Sequence, residues 1–339
     1  TSPTPSAGAE SPSPSPSYLP DAPGRPARFI AVSAQHEAFL YDGATGQPLH
    51  PLGDDAQVVT TAAVDDGRTY YYASSSGCRS TIVGRESAGA SPGATERSTE
   101  SFRVERNGAA ADLAASPDGR RLAYVLEVSR PGDRPGLCPL PELHVLDVTT
   151  GRDGIWTDRS YERDPAYPDS VGLSVRSLSW APDSRHLAYM TWFCCDQTAG
   201  IRVLDTDAPG RDFLAPKMHG EFFKVGASSC RLLASTYRGR TGELAAVQEC
   251  WGEEGETDAS HEVVVVDPQT GRPTRTLAAL STADDVYEFH SLDFDRSGRH
   301  FLATWEERSD SGEQRVITVR WDGGEVHELT LGIAGSPQW

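Results

Sequence analysis

The chain has 339 residues and a formal net charge of −18, from 31 basic and 49 acidic side chains. A field of this sign repels phosphate groups and anionic membrane surfaces, which argues against a nucleic-acid binder. No run approaches the roughly 18 consecutive apolar residues that span a bilayer, so we expect no membrane insertion by this region. The hydrophobic fraction of 37% and the 32 glycines are typical of a globular protein.

Residues 1–27 are predicted to be a disordered tether rich in proline and serine. Proline fixes φ and supplies no backbone donor, so this stretch favours extended polyproline II and builds no core. We expect it to follow a signal peptide, a lipidated cysteine or a membrane anchor, and to hold residues 28–339 outside the cytoplasm. An ordinary disordered tail is the alternative.

Two phrases alternate along residues 28–339. The first is a short strand, a tight turn and a second strand, clearest at residues 113–125 and 178–190 and weaker at 63–72 and 292–304. Proline and aspartate preset the first turn positions, and glycine tolerates the positive φ that closes the turn. Each copy therefore predicts an antiparallel hairpin.

The second phrase is an apolar strand followed by aspartate, a turn and glycine. Its copies occupy residues 39–46, 145–151, 203–210, 264–271 and, more loosely, 319–324. The two phrases together describe four antiparallel strands that recur about every 50 to 65 residues. A four-stranded sheet repeated at this spacing predicts a β-propeller.

The number of first-phrase turns predicts the number of blades. Turns of this kind occur at Gly67, Gly119, Ser184, Gly239 and Gly298. They predict five complete blades, and residues 28–52 supply three strands of another. We expect residues 335–339 to provide its missing inner strand, because closure by both termini removes exposed sheet edges. The prediction is an all-β, six-bladed propeller; seven blades is the alternative, since residues 225–233 could hold extra strands.

The best copies of the first phrase resemble a known family. Residues 116–124, Ser-Pro-Asp-Gly-Arg-Arg-Leu-Ala-Tyr, and 181–189, Ala-Pro-Asp-Ser-Arg-His-Leu-Ala-Tyr, look like the WD40-like repeats of TolB-type six-bladed propellers. This resemblance implies a secreted or periplasmic-type propeller used mainly for protein contacts. The near absence of asparagine and lysine indicates a GC-rich genome, and an actinobacterial source would fit.

Propeller topology sorts the connections onto two faces. Short turns join first to second and third to fourth strands on one side, the short-turn face. Long segments join second to third strands, or one blade to the next, on the other side, the long-loop face. These long segments are residues 128–141, 157–171, 193–199, 251–260 and 306–313.

Six cysteines map to the long-loop face: Cys78, Cys138, Cys194, Cys195, Cys230 and Cys250. An even count without a Cys-x-x-Cys pair favours three disulfides in an oxidising compartment. We predict that Cys78 pairs with Cys138, and that Cys194 or Cys195 pairs with Cys230 and Cys250. Such bridges would join long loops of neighbouring blades.

The long-loop face also carries the candidate binding residues. They are the strand-end aromatics Trp192, Trp251 and Trp305, the acids Glu253, Glu254, Asp284, Asp285 and Glu288, and His290. Aromatic rings flanked by acids are suited to a basic peptide, a cationic ligand or calcium. The alternative is a solvated acidic rim above aromatics that pack between blades.

No catalytic residue and no metal ligand is predicted. Residues 89–93 match the G-x-S-x-G pattern, but they lie in a Ser/Gly-rich stretch without the flanking strand and helix of a nucleophile elbow. Residues 293–298 resemble part of a calcium loop, yet they occupy the slot of a repeat turn and lack the glutamate at position twelve. Calcium is therefore the only cofactor left open.

The sequence predicts a monomeric, extracytoplasmic binding or sensing module for a protein or peptide partner. Two alternatives stay open. A metal-dependent hydrolase or lyase would require several of Glu288, His290, Asp284 and Asp285 to converge at the central channel. A structural cell-envelope scaffold would instead have a shallow, filled channel.

Overall fold

The computed structural model describes residues 28–33, 35–43, 45–53, 57–87, 98–129, 140–158, 173–193, 198–208, 211–220, 223–225, 228–251, 259–280, 286–308, 314–329 and 337–339. These residues form 23 β-strands and a three-residue 3-10 helix at Gly239–Thr241. None of their helical structure is long and apolar enough to cross a membrane. The predicted tether, residues 1–27, lies outside the described residues.

The first three blades use consecutive antiparallel strands. Blade one contains β1 (Phe29–Val32), β2 (Ala38–Tyr41) and β3 (Pro48–Pro51). Blade two contains β4 (Val58–Ala63), β5 (Thr69–Ser75), β6 (Arg79–Ser87) and β7 (Ser98–Asn107). Blade three contains β8 (Ala109–Ala115), β9 (Arg121–Val128), β10 (Leu140–Asp147) and β11 (Asp153–Thr157).

The remaining blades follow the same order. Blade four contains β12 (Leu173–Trp180), β13 (His186–Phe193) and β14 (Thr198–Asp205). Blade five contains β15 (Phe223–Val225), β16 (Ser228–Arg238), β17 (Glu243–Trp251), β18 (Ser260–Val266) and β19 (Pro273–Leu280). Blade six contains β20 (Val286–Phe294), β21 (Phe301–Arg308), β22 (Gln314–Trp321) and β23 (Val326–Leu329).

Six antiparallel blades stand in a ring, as predicted. Blades two, three and six have four strands, blade five has five, and blades one and four have three strands plus an isolated bridge. The ring is held by hydrophobic clusters, one between each pair of neighbouring blades. In the cluster between blades six and one, Leu302 packs with Phe29 and Tyr41, and Trp339 lies against them. Burial of these apolar faces is the main force that holds blade to blade.

The alternative of seven blades is wrong. The extra strand near residues 225–233 is β15, which pairs with β16 and so enlarges blade five. In blade four the outer position is occupied by His219, which forms an antiparallel bridge with Ile201. Gln338 forms a similar bridge with Ile30 of β1, with N–O distances of 2.7 and 2.8 Å. Closure of blade one by both termini stays a prediction, because residues 331–336 lie outside the described part of the chain.

The turn aspartates are part of the framework. Asp183 accepts hydrogen bonds from the main-chain N–H groups of Arg185 and His186, at 2.9 and 3.0 Å. The imidazole Nδ1 of His186 lies 2.6 Å from the same carboxylate, and His300 lies 2.8 Å from Asp295 in blade six. Aspartate side chains that accept hydrogen bonds from nearby main-chain N–H groups stabilise such turns. Many of the acidic residues therefore have a structural role.

The predicted pairing of Cys230 and Cys250 with Cys194 or Cys195 is wrong. Cys230 and Cys250 form a disulfide with each other, with Cα atoms 4.1 Å apart. They are direct partners in the register of β16 and β17, so the bridge lies within a blade. Cys78 is also disulfide-bonded. Its predicted partner Cys138 lies outside the described residues, as do Cys194 and Cys195.

Candidate functional site

The inner strands of five blades share an irregularity that shapes the channel. Each of β4, β8, β12, β16 and β20 shifts register against its second strand at least once along its length. A β-bulge of this kind bends the strand and re-aims side chains. The polar residues Asp112, Ser177 and Ser291 lie at these irregularities.

A cavity of about 180 Å³ lies between the inner strands, at positions in the interior of those strands. Its polar lining residues are Asp112 of blade three, Arg176 and Ser177 of blade four, Ser235 of blade five, His290 and Ser291 of blade six, and Gln338 near the C-terminus. Four consecutive blades therefore contribute to one small site.

Three serine hydroxyls define the cavity. The Oγ atoms of Ser177, Ser235 and Ser291 are buried, and none has a hydrogen-bond partner within the described residues. Ser235 is only 1% exposed and Ser291 5%. Buried hydroxyls are nearly always hydrogen-bonded in folded proteins, because an unpaired one costs about 1–3 kcal/mol. Three such hydroxyls, each from a different blade, line this cavity, so it suits a ligand group that forms hydrogen bonds.

A carboxyl group closes the cavity on the blade-three side. The two oxygens of Asp112 accept hydrogen bonds from the main-chain N–H groups of Leu178 and Leu113, at 2.9 and 2.7 Å. Burial raises the pKa of Asp112 to about 6, although these hydrogen bonds and the nearby Arg176 oppose the shift. Asp112 therefore titrates close to neutral pH.

Arginine–tryptophan pairs lie on the neighbouring blades four and five, and the arginine of the second pair also donates to Glu249 at 2.6 Å. The guanidinium of Arg176 lies over the ring of Trp192 at 4.5 Å, and that of Arg231 lies over Trp251 at 5.0 Å. Both tryptophans are half-buried. Because Arg176 also lines the cavity, the predicted residue Trp192 is connected to the site directly. Each pair is a cation–π contact that presents an aromatic and a charged surface together.

Two predicted residues on blade six, His290 and Trp305, lie in different environments. His290 lines the cavity, with Nε2 3.5 Å from Oε2 of Glu306. Trp305 is 1% exposed, packs against Phe289 at 5.5 Å, and donates from Nε1 to Glu307 at 2.8 Å. Its ring therefore belongs to the core between blades five and six.

Several candidate residues lie outside the described part of the chain: Glu253, Glu254, Asp284 and Asp285. Glu288 belongs to β20, but its side chain is likewise outside the description. Among the residues that are described, no group of three or more His, Cys, Asp or Glu side chains is placed to hold a metal ion. The calcium site and the metal-dependent enzyme stay predictions, because they depend on these acids.

Three cavity residues share a fixed position within the sequence repeat, which no catalytic or metal-binding motif marks. Asp112, Ser177 and Ser291 each stand seven residues before the residue that closes the first-phrase turn, namely Gly119, Ser184 and Gly298. In these three copies of the repeat, the polar residue at this fixed position of the inner strand lines the cavity. Alignment of the copies on their turns would have identified these positions.

Fold and site together define a six-bladed β-propeller with a polar cavity in its channel. The structure is similar to TolB from Acinetobacter baumannii, with a TM-score of 0.53 and 16% identity over 92% of this chain and 65% of that one. A functionally unknown protein from Desulfotomaculum acetoxidans gives 0.50 and 13%, over 92% and 98%. The Cps50 (Swd1) β-propeller domain of Myceliophteria thermophila gives 0.50 and 11%, over 92% and 86%.

The predicted likeness to TolB-type propellers is thus confirmed at the level of the fold. No protein-family model matches the chain, and no curated protein matches it in sequence. The chain spans just under two thirds of the length of the TolB structure.

Proposed function

We propose that this propeller is a non-catalytic, extracytoplasmic binding module that takes a protein or peptide partner on its long-loop face. One polar side chain of the partner enters the channel cavity and bonds the serine hydroxyls. The observation that carries this proposal is the convergence of Ser177, Ser235 and Ser291, from three blades, in one cavity without protein partners in the described residues.

The size of the cavity favours a side chain over a whole small molecule. Sites for drug-sized ligands usually measure about 300–1,000 Å³, whereas this cavity measures about 180 Å³. Arg176 of the cavity lining stacks on Trp192, and blade five carries a second pair, Arg231–Trp251. Arginine and tryptophan are enriched at the centres of protein interfaces. A scaffold with a filled channel would have no such cavity.

The disulfides support placement outside the cytoplasm. The Cys230–Cys250 bond and the disulfide of Cys78 are of a kind that persists in oxidising compartments. The fold likeness to TolB agrees with that placement. Attachment to the outer face of the membrane through residues 1–27, and a monomeric state, complete the proposal.

Peptide selection from a random library against the purified chain tests the proposal. We expect enriched peptides whose affinity, measured by calorimetry, falls about fivefold for each of Ser235→Ala and Ser291→Ala, since one hydrogen bond contributes about 1 kcal/mol. Gln269→Ala, an exposed position on the short-turn face, is the matched control and should leave affinity unchanged. Failure to enrich any peptide, or equal affinity in all three variants, would overturn the proposal.

A further inference from the structure

A second cavity lies between blades three and four, on the short-turn side and away from the channel. It measures about 400 Å³. Its charged and aromatic lining is Arg121, Arg152, Arg211, Trp156, Asp147 and Asp207. We call it the blade three–four groove. Three arginines in one groove are unexpected in a chain with a net charge of −18.

Arg121 is already paired. Its guanidinium donates to Oγ1 of Thr206 at 2.7 Å and to Asp207 at 2.9 Å. Asp147 is also engaged, because it accepts the main-chain N–H groups of Thr149 and Thr150 at 3.0 and 2.8 Å. The bond from Thr150 is the main reason why the pKa of Asp147 lies below its ordinary value. Each carboxylate in the groove therefore has partners of its own.

Arg211 is held on an aromatic platform. Its guanidinium lies over the ring of Trp156 at 5.1 Å, and Trp156 is itself buried. Gly154 makes room for this stack: a Cβ at that position would lie 3.0 Å from both Nη1 of Arg211 and the indole ring. The main-chain oxygen of Arg211 accepts the N–H of Thr157 at 2.9 Å. These contacts place the guanidinium before any ligand arrives.

Within the part of the chain that the structure describes, neither Arg152 nor Arg211 pairs with a carboxylate. The three arginines and two aspartates of the lining give the groove a net charge of +1. A phosphate group offers three strong acceptor oxygens, one more than a carboxylate, so two guanidinium groups can bind it at once. The planar fork of arginine also matches phosphate oxygens in pairs.

We propose that the blade three–four groove binds a phosphate group, held between Arg152 and Arg211, with Arg121 at its edge. The volume of the groove leaves space for an organic part next to the phosphate. This site is separate from the channel cavity, so it is independent of the proposed peptide-binding function.

Titration with inorganic phosphate and with glycerol phosphate, followed by calorimetry at constant low ionic strength, tests this inference. We expect saturable binding of both, at least tenfold weaker in Arg211→Gln and in Arg152→Gln. Tighter binding of glycerol phosphate would show that the ligand is a phosphate ester, and equal binding that it is phosphate itself. Arg299→Gln, exposed in a turn on the same face, is the control and should bind as the wild type does.

A second readout separates recognition by the arginine fork from simple charge attraction. Arg211→Lys keeps the positive charge but loses the planar fork, so we expect it to bind phosphate more weakly than the wild type does. Acetate should not compete with phosphate at the same concentration. Absence of saturable phosphate binding, equal binding in all the variants, or full competition by acetate would overturn the inference.

Discussion

The main-chain N–H of Trp339 donates a hydrogen bond to Oδ2 of Asp293, on the inner strand of blade six, at 2.8 Å. The other oxygen of Asp293 lies 3.4 Å from the hydroxyl of Thr236, which is 3.0 Å from the hydroxyl of Ser179. Ser179 in turn accepts the N–H of Tyr237 at 2.9 Å. A belt of hydrogen bonds thus joins the inner strands of blades four, five and six to the end of the chain.

This belt predicts a particular pH dependence of stability. Burial raises the pKa of Asp293 to about 7, and the charge of Asp65 adds to the shift. An unfolded aspartate has a pKa of about 3.9, so the folded chain binds the extra proton between about pH 4 and pH 7. The contribution of Asp293 to stability therefore falls as pH rises through that window.

Asp293→Asn should remove this contribution, because the amide oxygen still accepts the N–H of Trp339 but carries no charge. Urea unfolding at several pH values between 4.5 and 8 measures it. We expect the variant to gain stability relative to the wild type as pH rises. A constant difference between the two proteins across this range would contradict the assignment.

Closure of the ring by both termini predicts the effect of a short truncation. Removal of residues 337–339 deletes the bridge between Gln338 and Ile30 and the contact of Trp339 with Phe29, whose rings lie 5.7 Å apart. We expect a loss of about 3 kcal/mol in the free energy of unfolding, comparable to the loss of a large buried side chain. Removal of residues 1–20 is the control and should cost nothing. A truncation at 337 without effect would argue against closure.

The disulfide within blade five makes a prediction about connectivity and stability. Peptide mapping without reductant should recover Cys230 linked to Cys250. The double variant Cys230→Ala/Cys250→Ala should lose about 3 kcal/mol, the chain-entropy estimate for a loop of about 20 residues. Recovery of either cysteine linked to Cys194 or Cys195 would contradict the structure.

The pKa of His144 should lie above the ordinary histidine value, and that of His219 should lie below it. Burial alone would lower the pKa of His144. The hydrogen bonds of its imidazole to Asp153 and Glu142 outweigh the effect of burial, so the pKa is raised. Burial and the nearby Lys217 lower the pKa of His219. An NMR titration of the imidazole protons should therefore give a midpoint above 6.5 for His144 and below 6.5 for His219.

The raised pKa of His144 has a consequence for stability. Its protonated form stabilises the fold fully below pH 6.5, and that contribution is lost as pH rises through the folded-state pKa. Asp153→Asn removes the negative charge beside the imidazole and should lower the midpoint of His144. An unchanged midpoint in that variant would show that the carboxylate of Asp153 is not the cause.

The sequence predicted correctly those parts of the fold that adjacent residues determine. The second strands of blades three and four, β9 and β13, follow turns whose aspartates bond their own backbone, so a few adjacent residues determine them. The Cys230–Cys250 bond depends on the register of β16 against β17, which joins residues 20 positions apart, and no local pattern reports it. The bridge was therefore missed although the cysteines were correctly placed at the long-loop end of blade five.

The candidate site was predicted only in part, for the same reason. Trp192 was predicted as a strand-end aromatic and His290 as a candidate binding residue. His290 lines the cavity, and Trp192 stacks on Arg176 of its lining. Trp305 has the same local pattern, but its register opposite Phe289 places it in the core. Serine at positions 177 and 291 has no chemical motif, and only the bulged inner strands make its hydroxyl significant.

The most direct test of the central claim is oxidative footprinting of tryptophan in the complex with an enriched peptide. Trp192 and Trp251 are half-buried near the long-loop ends of the second strands of blades four and five, and the account predicts that peptide binding protects both from oxidation. The exposed side chain of Leu49, on the outer edge of blade one, should react equally with and without peptide. Unchanged oxidation of Trp192 and Trp251 in a saturated complex would contradict binding at the long-loop face.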